Sequence, residues 1–184
     1  MEDKLARATR IEIAWRIPDL NNADTRALSV AASVLGGGES SRLYQALVYK
    51  DQIALQSAGF GNFTEDPNLF WAYAIMNQGH TAEEGQKAVV AVLEELKSEP
   101  VEAKELEKAK NQEISGFILG RDTDEEKAVA LGAAAVVGKN PDLVNIELDQ
   151  YLKNTAADLQ RVAKKYFVPQ GSTVLIVTPA GPAQ

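Results

Sequence analysis

Ile11, Ile13, Trp15 and Ile17 alternate with Arg10, Glu12, Ala14 and Arg16, so a period of two predicts a half-buried strand with its large apolar side chains on one face. Pro18 ends it. Leu28, Ala31, Ala32 and Leu35 then recur at helical spacing, with Asn22 or Asp24 placed to cap that helix. Gly36, Gly37 and Gly38 stop it, because each glycine costs a helix about 1 kcal/mol relative to alanine. A second helix follows the bend, with Ser40 or Ser41 at its start and Leu43, Ala46 and Leu47 on its apolar side.

Two antiparallel strands fit residues 54–63 and 69–76, joined through Glu65-Asp-Pro-Asn68, with Gly59 or Gly61 marking a bulge or a close approach. Helical stripes come next: Val89, Leu93 and Leu96 up to Pro100, then Leu106, Ala109 and Phe117 up to Gly120. The glutamates between 94 and 107 mostly face away from those stripes and read as a solvated surface. Residues 122–137 predict another helix, whose alanine-rich second half permits close packing, and 142–152 a short one. Thr155-x-x-Asp158 has the form of a capping box, followed by Leu159, Val162, Ala163 and Tyr166 at i, i+3, i+4 and i+7. The continuous run Thr173–Thr178 predicts a central strand buried on both faces. The fold class is therefore α+β, a mainly antiparallel sheet of at least four strands packed on one face by helices, in one domain over residues 1–184.

Composition adds exclusions. A net charge of −7 repels phosphate backbones, which argues against nucleic acid as partner. The chain has no cysteine, which removes thiolate catalysis and cysteine metal sites but leaves the compartment undecided. No apolar run approaches the length of a membrane span and the first residues are charged, so neither a signal peptide nor a membrane segment is expected in this chain.

Catalytic chemistry has few carriers. His80 is the only histidine, in His80-Thr-Ala-Glu83-Glu84, one residue short of the inverted zinc signature H-x-x-E-H. Zinc needs a second imidazole that this chain does not own, so no metal ligand and no catalytic residue is assigned. Thr81-x-x-Glu84 explains the same stretch as a helix cap. A Ser-His-Asp arrangement would also depend on His80, and no spacing singles out a pair among 26 acidic residues. The glycine bend before a helix start reads either as a plain turn or as a loop whose exposed N–H groups meet a peptide or another domain.

Several stretches together resemble one family: Asp24-x-x-Ala27-Leu28, Leu35-Gly-Gly-Gly38-x-Ser-Ser-Arg-Leu-Tyr44, Leu47-Val48, Glu105-Leu-x-x-Ala-Lys110, and Thr155-Ala-x-Asp158-x-x-Arg161-Val-Ala-x-x-Tyr166 ahead of the last strand. The chain resembles the C-terminal, non-catalytic half of pitrilysin-like zinc metallopeptidases, the group of insulysin and the mitochondrial processing peptidase. The resemblance implies a clamshell in which a separate N-terminal half carries His-x-x-Glu-His and zinc while this half closes over an unfolded peptide. It implies the catalytic half and the peptide as partners, and is compatible with a homo-oligomer; the whole protein could be periplasmic or cytoplasmic. It points to Gly36, Gly37, Gly38, Ser41 and Arg42 as peptide-facing, by likeness to a substrate-handling loop in the processing peptidase. It also shows a departure, because the family's Arg and Tyr of the closing half fall here on Val48 and Leu55. A structural or assembly subunit without proteolytic role is the alternative, and an enzyme working through carboxylates alone a third.

Overall fold

The computed structural model describes residues 1–180. Five strands form one mixed sheet in the order β1-β5-β2-β4-β3. They are β1 (Glu2–Asp3), β2 (Arg10–Ile17), β3 (Ala54–Gly61), β4 (Asn68–Met76) and β5 (Ser172–Pro179). β2, β3, β4 and β5 pair antiparallel, and only β1 runs parallel to its neighbour. The helices are α1 (Thr25–Gly36), α2 (Arg42–Tyr44), α3 (Ala82–Ser98), α4 (Ala103–Leu119), α5 (Asp124–Val136), α6 (Leu143–Leu152) and α7 (Ala156–Tyr166). The α+β class and the mainly antiparallel sheet are as the sequence predicts.

The alternation in β2 sets the layers. Ile11, Ile13, Trp15 and Ile17 are buried under α3 and α7, while Arg16 is exposed on the opposite face and α1 covers β3. Trp15 meets Phe167 edge-on at 5.5 Å between centroids, and Phe167 lies 4.6 Å from Phe70, so one aromatic cluster ties β2, β4 and the end of α7. α4 packs on the outside of α1, and α6 on α4 and α1.

Three local expectations need correction. Asp24 sits at the N-cap of α1 but makes no side-chain cap bond, because its carboxylate is taken by α7. Gly59 marks a close approach, one of the two roles expected of it, while the bulge in β3 lies at Leu55, between Ala54 and Gln56. β5 is not buried on both faces: Val174 is 38% and Leu175 45% exposed, since β1 is only two residues long and no helix covers that end. α5 has no buried residue, so its alanine face packs against nothing tightly.

Capping boxes start three helices, at Thr81, Thr123 and Thr155. Thr155→Ala removes the acceptor for the Asp158 N–H and is expected to cost about 1 kcal/mol in urea unfolding. Ser41→Ala should cost less than half as much, because the Ser41 hydroxyl is buried and has no hydrogen-bond partner to lose. Equal losses for the two variants would contradict this assignment.

Candidate functional site

The glycine bend is held from both sides. Gly36 ends α1 against the backbone of Gly59 in β3, where an added Cβ would stand 2.1 Å from the Gly59 nitrogen. The Gly37 N–H donates to the Ser33 carbonyl at 2.9 Å, and the Gly37 carbonyl accepts from Gln112 Nε2 of α4 at 2.9 Å. Gly38 takes φ +86°, the left-handed region that an L side chain resists, and accepts the Ser41 N–H at 3.0 Å. The exposed tip is Gly38-Glu39-Ser40. Lys108 of α4 bonds the Ser40 hydroxyl, and Gln45 Nε2 donates to the Glu39 carbonyl at 2.7 Å.

Ser41 and Arg42 lie beneath this tip. Ser41 is the N-cap residue of α2, yet its hydroxyl caps nothing and it is 1% exposed, so the capping role given to it or to Ser40 is not what starts the helix. Arg42 donates through Nε and Nη2 to the two oxygens of Glu105, both at 2.8 Å, with Glu95 a further 3.8 Å from Nη1. These bonds to Glu105 raise the Arg42 pKa above its ordinary value against the opposing effect of burial. The paired fork fixes α2 to α4.

α2 runs straight into a π-helical stretch, Gln45–Lys50, a form often found at functional sites. Gln52 follows at φ +57°. Val48 is half-buried against the core on this stretch, and Leu55 is 59% exposed at the bulge of β3. Neither apolar side chain can donate a hydrogen bond, so the Arg and Tyr functions of the resemblance have no carrier at these positions.

The donor set does not fit zinc. His80 Nδ1 stands 3.3 Å from Glu84, whose carboxylate accepts the Thr81 N–H at 2.8 Å to complete the cap of α3. That bond and the His80 contact lower the Glu84 pKa. No group of three or more histidine, cysteine or acidic residues placed to hold a metal occurs among the described residues. No helix among them is long and apolar enough to cross a membrane.

Comparison with known proteins gives the class. A profile of the peptidase M16 inactive domain matches residues 1–113, and the chain belongs to that family. It is 30% identical over 169 residues to the zinc protease PqqE of Helicobacter pylori, covering 92% of this chain and 38% of that one. A crystal structure of a protease from Helicobacter pylori superposes with TM-score 0.89 at 28% identity, over 97% of this chain and 43% of the other. The inactive peptidase domain of a proposed zinc protease from Bordetella parapertussis gives TM-score 0.85 at 25% identity, over 98% of this chain and 96% of that one. The chain thus spans about two-fifths of the Helicobacter relatives and nearly the whole of the isolated domain.

Proposed function

We propose that this chain is the non-catalytic closing half of a zinc-dependent endopeptidase. It shapes one wall of the chamber and contacts unfolded peptide, while a separate half holds zinc and activates water. The observation that carries this reading is the inactive-domain family match joined to a donor set with one imidazole, already engaged at a helix cap. Of the loop expected at Gly36, Gly37, Gly38, Ser41 and Arg42, the peptide contacts the exposed end at Gly38 in this proposal, with Ser41 buried beneath it. The tip offers backbone N–H and C=O groups, and the Arg42–Glu105 fork and buried Ser41 hold it in place.

Two measurements test it. The purified chain is expected to show no peptidase activity that chelation removes, and chelator-sensitive hydrolysis by this chain alone would refute the division of labour. A photocrosslinking residue at Ser40 of the chain joined with a His-x-x-Glu-His half is expected to label an unfolded peptide. Labelling of the partner half alone, with no peptide adduct, would favour an assembly role.

A further inference from the structure

The two edges of the sheet differ. β3 carries a bulge at Leu55 and the glycines Gly59 and Gly61, features that interrupt an edge, whereas β5 pairs with β2 in unbroken register from Ser172 to Val177. That run, Ser172-Thr-Val-Leu-Ile-Val177, has no charge, proline or glycine to discourage another strand. β1 covers little of it, pairing only with Thr178 and Pro179.

Two bonds fix which groups of β5 point outward. The Met1 amino nitrogen donates to the Ile176 carbonyl at 3.0 Å, and the Thr178 N–H donates to the Met1 carbonyl at 2.9 Å. Ile176 and Thr178 therefore face the free edge, and the alternation of a strand turns Val174 and Ser172 the same way. The Ser172 N–H is taken by the Pro169 carbonyl. The Ser172 carbonyl, both backbone groups of Val174 and the Ile176 N–H have no partner among the described residues. Val174 also forms the rim of a cavity of about 180 Å³, lined by Trp15, Val90 of α3, Leu93, Phe167 and Pro169. Its mouth is apolar and uncovered, since Val90 is 36% exposed beside the exposed Val174.

We propose that this edge seats the stretch of polypeptide that leads from the zinc-carrying half into β1, running parallel to β5 as the upstream continuation of that strand. The inference rests on the reading of this chain as the closing half of a larger peptidase. Register supports it. Glu2 pairs with Thr178, so residues placed ahead of Met1 run back along β5 toward Ser172, and about four of them satisfy all four free groups. The side chain opposite Val174 falls on the helix-covered face, at the mouth of the cavity, where an apolar residue is buried and a charged one would be desolvated. The Helicobacter pylori protease has chain to supply such a segment, because the present chain covers 43% of it. A second copy of this chain is the competing occupant, since two such edges can pair with each other.

Hydrogen exchange followed by NMR tests this, comparing the chain alone with the same chain continuous, through its N-terminus, with a His-x-x-Glu-His half. The Val174 and Ile176 amides are expected to exchange fast in the lone chain and about tenfold or more slowly in the joined protein. The Thr173 and Leu175 amides, which face β2, should change little. Val174→Pro removes only an outward N–H, a change that edge strands tolerate, and is expected to weaken the protection at Ile176 in the joined protein. Should that variant fail to fold, the unsubstituted comparison decides alone. Equal exchange at Val174 and Ile176 in both proteins would overturn the edge assignment. The closing-half reading is judged separately, by whether the joined protein loses hydrolysis of an unfolded peptide when this chain is removed. Protection of the two amides that appears in the lone chain and rises with its concentration would give the edge to a second copy and overturn the proposal.

Discussion

Gly36→Ala is expected to cost about 3 kcal/mol or more in urea unfolding, at the upper end of what overpacking costs. The added Cβ would stand 2.1 Å from the nitrogen and 2.2 Å from the carbonyl oxygen of Gly59. Both are backbone atoms of a strand paired to β4 at Ala72, so no side-chain rotation relieves the clash. Either α1 or β3 must move away, and α1 carries Leu28, Val34 and Leu35 into the core. Gly38→Ala is the contrast. Nothing lies within 4 Å of its Cβ position, and the cost reduces to a left-handed φ of +86°, about 1–2 kcal/mol. A Gly36→Ala variant within 0.5 kcal/mol of the unsubstituted chain would show that the helix–strand contact is loose. Since a whole domain is stable by only about 5–15 kcal/mol, the first substitution should also reduce soluble yield.

This contact explains which parts of the molecule could be read from the residue order. Alternation in β2 and the stripes of α3 and α7 are local patterns whose buried members are those the periodicity selects. Thr81-x-x-Glu84 and Thr155-x-x-Asp158 are closed within four residues, and both form as read. The same local signature stands at Thr123-x-x-Glu126, where it starts α5. Gly36 against Gly59 is different, because a run of glycines announces a turn but not which strand it will touch. The Ser29, Ser33 and Glu113 cluster joins residues 84 and 80 positions apart, beyond any local pattern. β1 was missed because two charged residues in a parallel pair carry no apolar signal. The π-helical stretch after α2 has none either, since its residues suit an ordinary helix equally well. Thr173–Thr178 misled in the other direction: a β-branched run reports strand preference, and only the placement of helices decides which face is covered.

Asp24→Asn is expected to remove up to about 2 kcal/mol at neutral pH and to flatten the loss of stability in acid. Asp24 was legible as a cap, but its side chain, 9% exposed, reaches across 137 residues to Arg161 Nη1 at 2.5 Å. Lys165 Nζ at 2.7 Å and the Tyr166 hydroxyl at 2.9 Å hold its other oxygen. Burial alone would raise the Asp24 pKa, yet the bonds from Lys165, Arg161 and Tyr166 outweigh it and bring the pKa from 3.8 to about 2. The sign follows from proton counting. Between those values the unfolded chain binds the proton and the folded chain does not, so folding gains from Asp24 in full above pH 3.8 and loses that gain as pH falls toward 2. Arg161 and Lys165 are 51% and 57% exposed, which screens the pairs and makes about 2 kcal/mol a ceiling on the electrostatic part. Asp158 also has a lowered pKa, from its bonds to Thr155, so the unsubstituted chain alone would not isolate the effect. The difference between Asp24→Asn and the unsubstituted chain does, in urea unfolding at pH 7, 4 and about 2.5. That difference is expected to be largest at pH 7 and to shrink through the acid range. A gap that stays constant down to pH 2.5 would show that the carboxylate charge does not join α1 to α7.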